Sequence, residues 1–227
     1  MGVEILEYTT KEPITMIGKM AGICYNANTT SPEKNYKRGL DCIISDHGRT
    51  LEFPQIYMKI SGYSAKCIRE FGRHIGGMPT YLQASTRYIN YEEFGFVTPP
   101  KIKNNQKAEE IYNNAIEYVR DSIIKLNDLG IENEDSSMLL PLGMNTIVVH
   151  RTNLRNLIDM SHVRECSRAF WEFRELFKDI KIALSEYSTE WSYLINELKV
   201  FKPKCELYGY CNEKKSCGRK PKRQLNG

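Results

Sequence analysis

Arg73-His74-Ile75-Gly76-Gly77-Met78-Pro79-Thr80-Tyr81-Leu82-Gln83-Ala84-Ser85-Thr86-Arg87-Tyr88 is the stretch on which the reading of this chain turns. Arginine carries a fixed fork of donors that suits phosphate oxygens. The glycine pair lets backbone approach a bulky ligand closely. Ser85 and Thr86 add hydroxyls beside Arg87. Upstream, Ser64 to Gly72 has the pattern of a helix running into the segment, and the run from Ser85 to Tyr91 reads as a strand leaving it. The expected geometry is a helix end, a glycine-rich loop and a strand gathered around an anion. The plainer alternative is a surface loop with solvated arginines.

Working outward, Met1 to Tyr8 suggests a strand, and Pro13 suits the first turn of a helix that continues through Tyr25. Ser31 and Pro32 form an N-cap and first helical position for a helix to Ile44. Gln55 to Ile60 alternates as a strand. Asn105 to Leu129 is a long amphipathic helix stopped by Gly130. Asn133 to Leu140 is a short helix ended by Pro141, and Met144 to Arg151 is a β-branched buried strand. From Asn153 to Phe177, and on to Leu198, the pattern is helical throughout. No internal repeat or low-complexity segment interrupts the chain. The fold class expected is α+β, a single domain with a small central sheet surrounded by long helices. The domain spans residues 1–202, and a Cys- and Lys-rich tail spans 203–227.

Composition bounds the function. The chain has 227 residues, 41% of them hydrophobic and 26% charged, which is ordinary for a globular protein. A net charge of +4 favours anionic ligands without indicating nucleic acid. No run approaches the roughly 20 apolar residues of a membrane helix, and the N-terminal residues lack a signal-peptide pattern. A cytoplasmic protein with reduced thiols is expected. The tail cysteines, Cys205, Cys211 and Cys217, are separated by five intervening residues each time, unlike the short pairs of structural zinc sites, so no metal is assigned. G-x-S-x-G, the P-loop and G-x-G-x-x-G are all absent.

A second informative region is the helix beginning at Asn153. Asn153, Arg155, Asp159, His162 and Arg164 are a heavy polar load for a helix that also carries Leu154, Leu157, Ile158 and Met160. Arg155 and Asp159 are spaced to pair with each other, but the helix can equally line a cleft.

Taken together these pieces resemble the flavin-dependent thymidylate synthase family. That family carries Arg-His-Arg, seven residues, then Ser and shortly Arg-Tyr. It also has an upstream His-x4-Glu-His element, a Leu-Pro, and a downstream Asn-x-Arg helix ending in arginine. The matching residues here are Arg73-His74 with Ser85-Thr86-Arg87-Tyr88, His47 with Glu52, Leu140-Pro141, and Asn153-Leu154-Arg155 with Arg164. The tail GYCNEKKSCGR is similar to an ending found in one branch. The departures are Ile75 for arginine, a loop two residues longer before Ser85, Phe53 for the second histidine and Asp159 for asparagine. Glu70 stands where the family often has glutamine, Gln83 where it usually has glutamate, and Ser137 where an arginine precedes Leu-Pro. The chain therefore reads as a divergent branch.

The resemblance implies reductive methylation of dUMP to dTMP. FAD would be the hydride carrier, methylenetetrahydrofolate the one-carbon donor and NADPH the reductant. It implies cofactor contacts from His47, Arg73, His74, Asn153, Arg155 and Asp159. Substrate contacts would come from Glu70, Gln83, Ala84, Ser85, Thr86, Arg87 and Arg164, and Arg164 would be the catalytic residue, favouring ionisation of the pyrimidine at N3. It also implies a homotetramer with active sites shared between subunits. Two other readings stand beside it: a flavoenzyme acting on a different pyrimidine nucleotide or one-carbon unit, and a non-enzymatic nucleic-acid-binding protein using the basic tail.

Overall fold

The computed structural model describes residues 1–223. In chain order the elements are β1 (Gly2–Ile5), α1 (Pro13–Cys24), α2 (Pro32–Ile44), a 3-10 turn (Gly48–Glu52), β2 (Gln55–Ser64), α3 (Ala65–Phe71), β3 (Thr80–Gln83) and α4 (Pro100–Lys103). There follow α5 (Gln106–Asp128), α6 (Asn133–Ser136), a 3-10 turn (Ser137–Leu139), β4 (Asn145–Asn153), α7 (Leu154–Arg164), α8 (Trp171–Tyr187), α9 (Thr189–Asn196) and α10 (Lys204–Tyr208). The strands form one small antiparallel sheet in the order β1-β2-β4-β3. The α+β class expected from the sequence is the class observed.

The chain divides into two compact units. The first comprises residues 1–2, 60–72 and 81–149. Its core is Tyr91, Phe94, Ile116, Ile123 and Met144, with Phe96, Tyr112 and Leu140 against them. The long α5 starts where Asn105 accepts the N–H of Ala108, and it buries Ile116 and Ile123 two turns apart. Arg120, on the same helix, lies over the rings of Phe94 and Phe96 and donates to the Phe94 carbonyl at 2.6 Å.

The second unit comprises residues 3–59, 73–80 and, of the described residues, 150–223. Helices α1 and α2 pack closely because Gly18 and Gly39 face each other's backbones. A Cβ on Gly18 would fall 1.8 Å from the Asn35 carbonyl oxygen. Helix α1 has no cap of its own. Instead, Glu190 from α9 accepts the N–H groups of Ile14 and Thr15 at 2.6 and 3.1 Å, placing a carboxylate at the positive end of the helix. Trp191 and Leu194 of α9, with Phe173, Leu176, Phe177, Ile180 and Leu184 of α8, are all buried in this part of the chain.

Three expectations are corrected. The run from Ser85 to Tyr91 is turn rather than strand, and β3 precedes it at Thr80–Gln83. Ser85 Oγ accepts the N–H of Arg87, and Asn90 Oδ1 accepts that of Glu92. These local bonds take the place of a ladder. The helix from Asn153 to Leu198 is three helices. It breaks at 165–170, where Arg174 Nη1 donates to the carbonyls of Ser167 and Ala169. It breaks again at Ser188, which leaves helical dihedrals and caps α9 through the N–H of Trp191. Strand β2 runs on to Ser64, past the expected end at Ile60, with Gly62 at positive φ within it.

Candidate active site

In the second unit, the loop that follows α3 lies against the start of α7. Gly77 and Met78 both take left-handed backbone conformations, at φ 68° and 52°. A Cβ on Gly77 would sit 2.2 Å from Asn153 Nδ2, and one on Gly76 would sit 2.9 Å from Asn156 Oδ1. The glycine pair is thus needed for a close approach to two asparagines. Asn153 caps α7, its Oδ1 accepting the N–H of Asn156 at 2.9 Å. Asn156, almost fully buried, donates from Nδ2 to the His74 carbonyl at 3.3 Å and to Thr152 Oγ1 at 2.9 Å. Arg151 donates to the Met78 carbonyl at 2.8 Å.

The far end of α7 meets the same loop. Arg164 Nε donates to His74 Nε2 at 2.9 Å. Because an arginine in a protein stays protonated, that imidazole nitrogen is an acceptor, and the proton of neutral His74 lies on Nδ1. The Arg164 guanidinium also lies 4.4 Å from the ring centre of Phe173, a distance at which cation–π attraction acts. Phe173 is fully buried, and His74 meets it edge-on at 5.7 Å. His74 and Phe173, themselves in contact, therefore set the orientation of the guanidinium. Asn153 and Arg164 are 11 residues apart, about three helical turns, so the loop runs along one side of α7.

Arg155 Nε pairs with Asp159 at 3.3 Å, the i,i+4 contact the spacing allows. Its guanidinium is so close to Gly48 that a Cβ there would fall 1.8 Å from Nη1. His47, exposed, is the residue next to that contact. Arg73 is exposed, and its guanidinium makes no ion pair among the described residues. Six of the seven residues singled out in this unit, His47, His74, Asn153, Arg155, Asp159 and Arg164, thus lie on or beside contacts that involve α7.

The remaining candidates belong to the first unit. Glu70 is half-buried in the last turn of α3. The Ala84 N–H donates to the Ile147 carbonyl at 2.9 Å, and Gln83 Nε2 reaches Thr146 Oγ1 at 3.5 Å. Ser85 Oγ is engaged by the Arg87 N–H, while Thr86 is exposed. Arg87 Nε pairs with Glu134 at 2.9 Å, both side chains being about half exposed. An open cavity of about 590 Å³ is bordered by Arg87, Tyr88, Asn90, Asn127 and Glu134. Ser137 turns its hydroxyl back to the Glu134 carbonyl.

Sequence reasoning missed Asn156, Phe173, Arg151 and Glu134. Asn156 had a signal, a polar residue three positions after a cap in a core-facing turn. Phe173 had none, because its contact with Arg164 depends on the turn between α7 and α8.

A family model described as "Thymidylate synthase complementing protein" matches residues 4–187. The flavin-dependent thymidylate synthase of Geobacter sulfurreducens is 29% identical over 186 residues, covering 78% of each chain. That of Thermococcus onnurineus is 30% identical over 227 residues, 93% of this chain and 89% of the relative. Among solved structures, the flavin-dependent thymidylate synthase of Helicobacter pylori, complexed with FAD and dUMP, superposes with a TM-score of 0.67 at 22% identity. It covers 84% of this chain and 98% of its own. The UMP/dUMP methylase PolB of Streptomyces cacaoi, bound with 5-Br dUMP, gives 0.70 at 16% identity over 88% and 96%. At those identities the solved structures speak for the fold alone.

Proposed function

Since the chain belongs to the family of thymidylate synthase complementing proteins, the flavin-dependent thymidylate synthases, we propose that it converts dUMP to dTMP. FAD serves as hydride carrier, methylenetetrahydrofolate as one-carbon donor and NADPH as reductant. The observation that carries this reading is the loop of residues 73–80 lying along α7, with Arg164 held by His74 and Phe173.

The donors fit a flavin nucleotide. Among the described residues Arg73 has no acidic partner, Arg151 donates to a carbonyl and a hydroxyl, and Gly76 and Gly77 keep the loop backbone free of side chains. Electron-rich oxygens of a dinucleotide would meet unpaired positive charge there. FAD, when bound, supplies the hydride chemistry; the protein binds and orients. Arg73 and His74 hold it from the loop, and Asn153, Arg155 and Asp159 from α7, with His47 beside Gly48 at the margin.

Arg164 acts on the pyrimidine. Its guanidinium, oriented by the Nε contact to His74 and by the Phe173 ring, would donate to the pyrimidine O4–N3 edge. A fixed cation at that edge stabilises negative charge developing at N3 and spreading toward C5, without reorganisation at the moment of reaction. Gln83, Ala84, Ser85, Thr86 and Arg87 bind the nucleotide phosphate, and Glu70 contacts the nucleotide from α3. An incoming phosphate has to displace Glu134 from Arg87. The exchange is inexpensive, since a half-exposed pair contributes roughly 0–1 kcal/mol.

The Arg87–Glu134 pair and Ser137 favour a second reading, in which the same flavin chemistry serves another pyrimidine nucleotide. Product analysis by mass spectrometry separates the two. With FAD, methylenetetrahydrofolate and NADPH present, dUMP is consumed to dTMP and dCMP is left unchanged; methylation of dCMP alone would transfer the assignment. We further assign the enzyme to the cytoplasm, and a homotetramer with shared sites as its working form. That assembly is supported by the exposed Tyr81, Leu82, Ile147 and Val149 on β3 and β4. Sedimentation should read four chains; a monomer that turns over dUMP would remove the assembly from the account.

A further inference from the structure

Four of the seven cysteines meet in one place. Cys166 lies just beyond α7, Cys205 in α10, and Cys211 and Cys217 in the segment after it. All four are free thiols lining a single cavity of about 270 Å³ in the second unit, with His162 and Arg219. Cys217 is exposed, Cys166 and Cys205 are half-buried, and Cys211 is buried. One thiol is thus open to solvent and the other three are less so.

The wall carrying Cys217 is tied at its base. The Cys211 N–H donates to the Pro221 carbonyl at 2.7 Å, and the Arg223 N–H donates to the Cys211 carbonyl at 3.1 Å. Arg219 Nη1 donates to the Glu165 carbonyl at 3.2 Å, and Arg168 pairs with Glu213 at 3.2 Å. Between these ties, Ser216 Oγ accepts the N–H of Gly218. Hydrogen bonding to the Ser167 side chain and to the Arg219 backbone pulls the Cys217 thiol below its ordinary range, with the Arg219 charge adding to the effect. Burial pushes the Cys205 thiol up, against the charge of Arg219, and the neighbouring Cys211 and Cys166 push the same way as burial. Among the described residues, no three His, Cys, Asp or Glu side chains are grouped to hold a metal. Four free thiols around one cavity are the observation on which sulfur–sulfur chemistry rests.

We propose that Cys217 is a thiol–disulfide exchange site for low-molecular-weight disulfides such as oxidised glutathione, with a second thiol of the same cavity as its resolving partner. In the first step the Cys217 thiolate attacks one sulfur of the small disulfide. The S–S bond breaks, a mixed disulfide forms on Cys217, and the released thiolate takes a proton from water. In the second step Cys166, Cys205 or Cys211 gives up its proton and attacks the Cys217 sulfur. A second small thiol leaves and is protonated, and a disulfide closes across the cavity. Two cysteine thiols are oxidised and one small disulfide is reduced to two thiols.

Cys24, exposed on α1 and not among the residues lining the cavity, is the internal control. The full chain, freshly reduced, is treated with oxidised glutathione at neutral pH and sampled over time. Remaining thiols are alkylated, and peptides are read by mass spectrometry. The expected result is an adduct that forms on Cys217 several-fold faster than on Cys24, then disappears as a cross-linked peptide joining Cys217 to one of the other three thiols grows. Cys24 keeps its adduct. Cys217→Ser, an exposed substitution, should abolish the cross-link and leave the melting temperature unchanged. Equal rates at Cys24 and Cys217 would overturn the proposal, as would a Cys217 adduct that never resolves. So would a purified chain whose cavity thiols are protected by one tightly held zinc ion.

Discussion

At the scale of single residues, the account depends on how Arg164 is held. Its planar guanidinium is bonded through Nε to His74 and lies over the Phe173 ring, and both contacts set its orientation. Arg164→Lys keeps the charge and loses both the fork and the Nε contact. Single-turnover rate should fall about 10²–10³-fold, the usual cost of one lost transition-state contact, while FAD affinity changes little. A normal rate with a lowered melting temperature would make Arg164 structural. His150 supports a separate prediction. Burial, and secondarily the charge of Arg151, lower its pKa from 6.5 to about 4. Above pH 6.5 the imidazole is neutral in both states and its contribution to stability is whole. As pH falls the unfolded chain protonates first, so stability is lost progressively until the folded imidazole protonates near pH 4. The full loss is about 3 kcal/mol. Urea unfolding at pH 7 and pH 4 should show this excess loss in the parent and not in His150→Asn; parallel losses in both would discount His150.

At the scale of elements, the pairing of loop 73–80 with α7 does the positioning. Gly77→Ala would drive a methyl into the amide of Asn153, whose other end caps the helix, at a backbone φ that alanine adopts poorly. A destabilisation of about 1–3 kcal/mol is expected, together with weaker FAD binding in a fluorescence titration. Unchanged affinity would place the flavin away from this loop. Much at this scale was legible in the sequence. Ser31 and Pro32 marked the start of α2, Asn105 and Gly130 bracketed α5, and β-branched residues marked β4. The turn from Ser85 to Tyr91 was not, because Thr86, Tyr88 and Ile89 have the composition of a strand, and hydroxyl and amide side chains decided the matter locally. The breaks at 165–170 and at Ser188 contain no glycine or proline, so nothing in their composition announced them.

At the scale of the whole molecule, two compact units each hold part of the candidate set. The residues around α7 are in one, and those from Gln83 to Arg87 are in the other. The sequence showed both groups through their spacing, but not the Glu134 carboxylate on Arg87, 47 residues away. It also did not show that Asn153 acts as a helix cap while its amide nitrogen stands beside Gly77. The claim that joins the two groups is that one nucleotide and one flavin are used together. Anaerobic stopped-flow tests it most directly. FAD on the protein is reduced with NADPH, then mixed with dUMP alone, with methylenetetrahydrofolate alone, or with both, and flavin absorbance is followed while the product is identified. The account predicts that flavin colour returns only when both are present and that one dTMP is formed per flavin reoxidised. Reoxidation that proceeds without dUMP, or a protein that takes up no FAD, would contradict it.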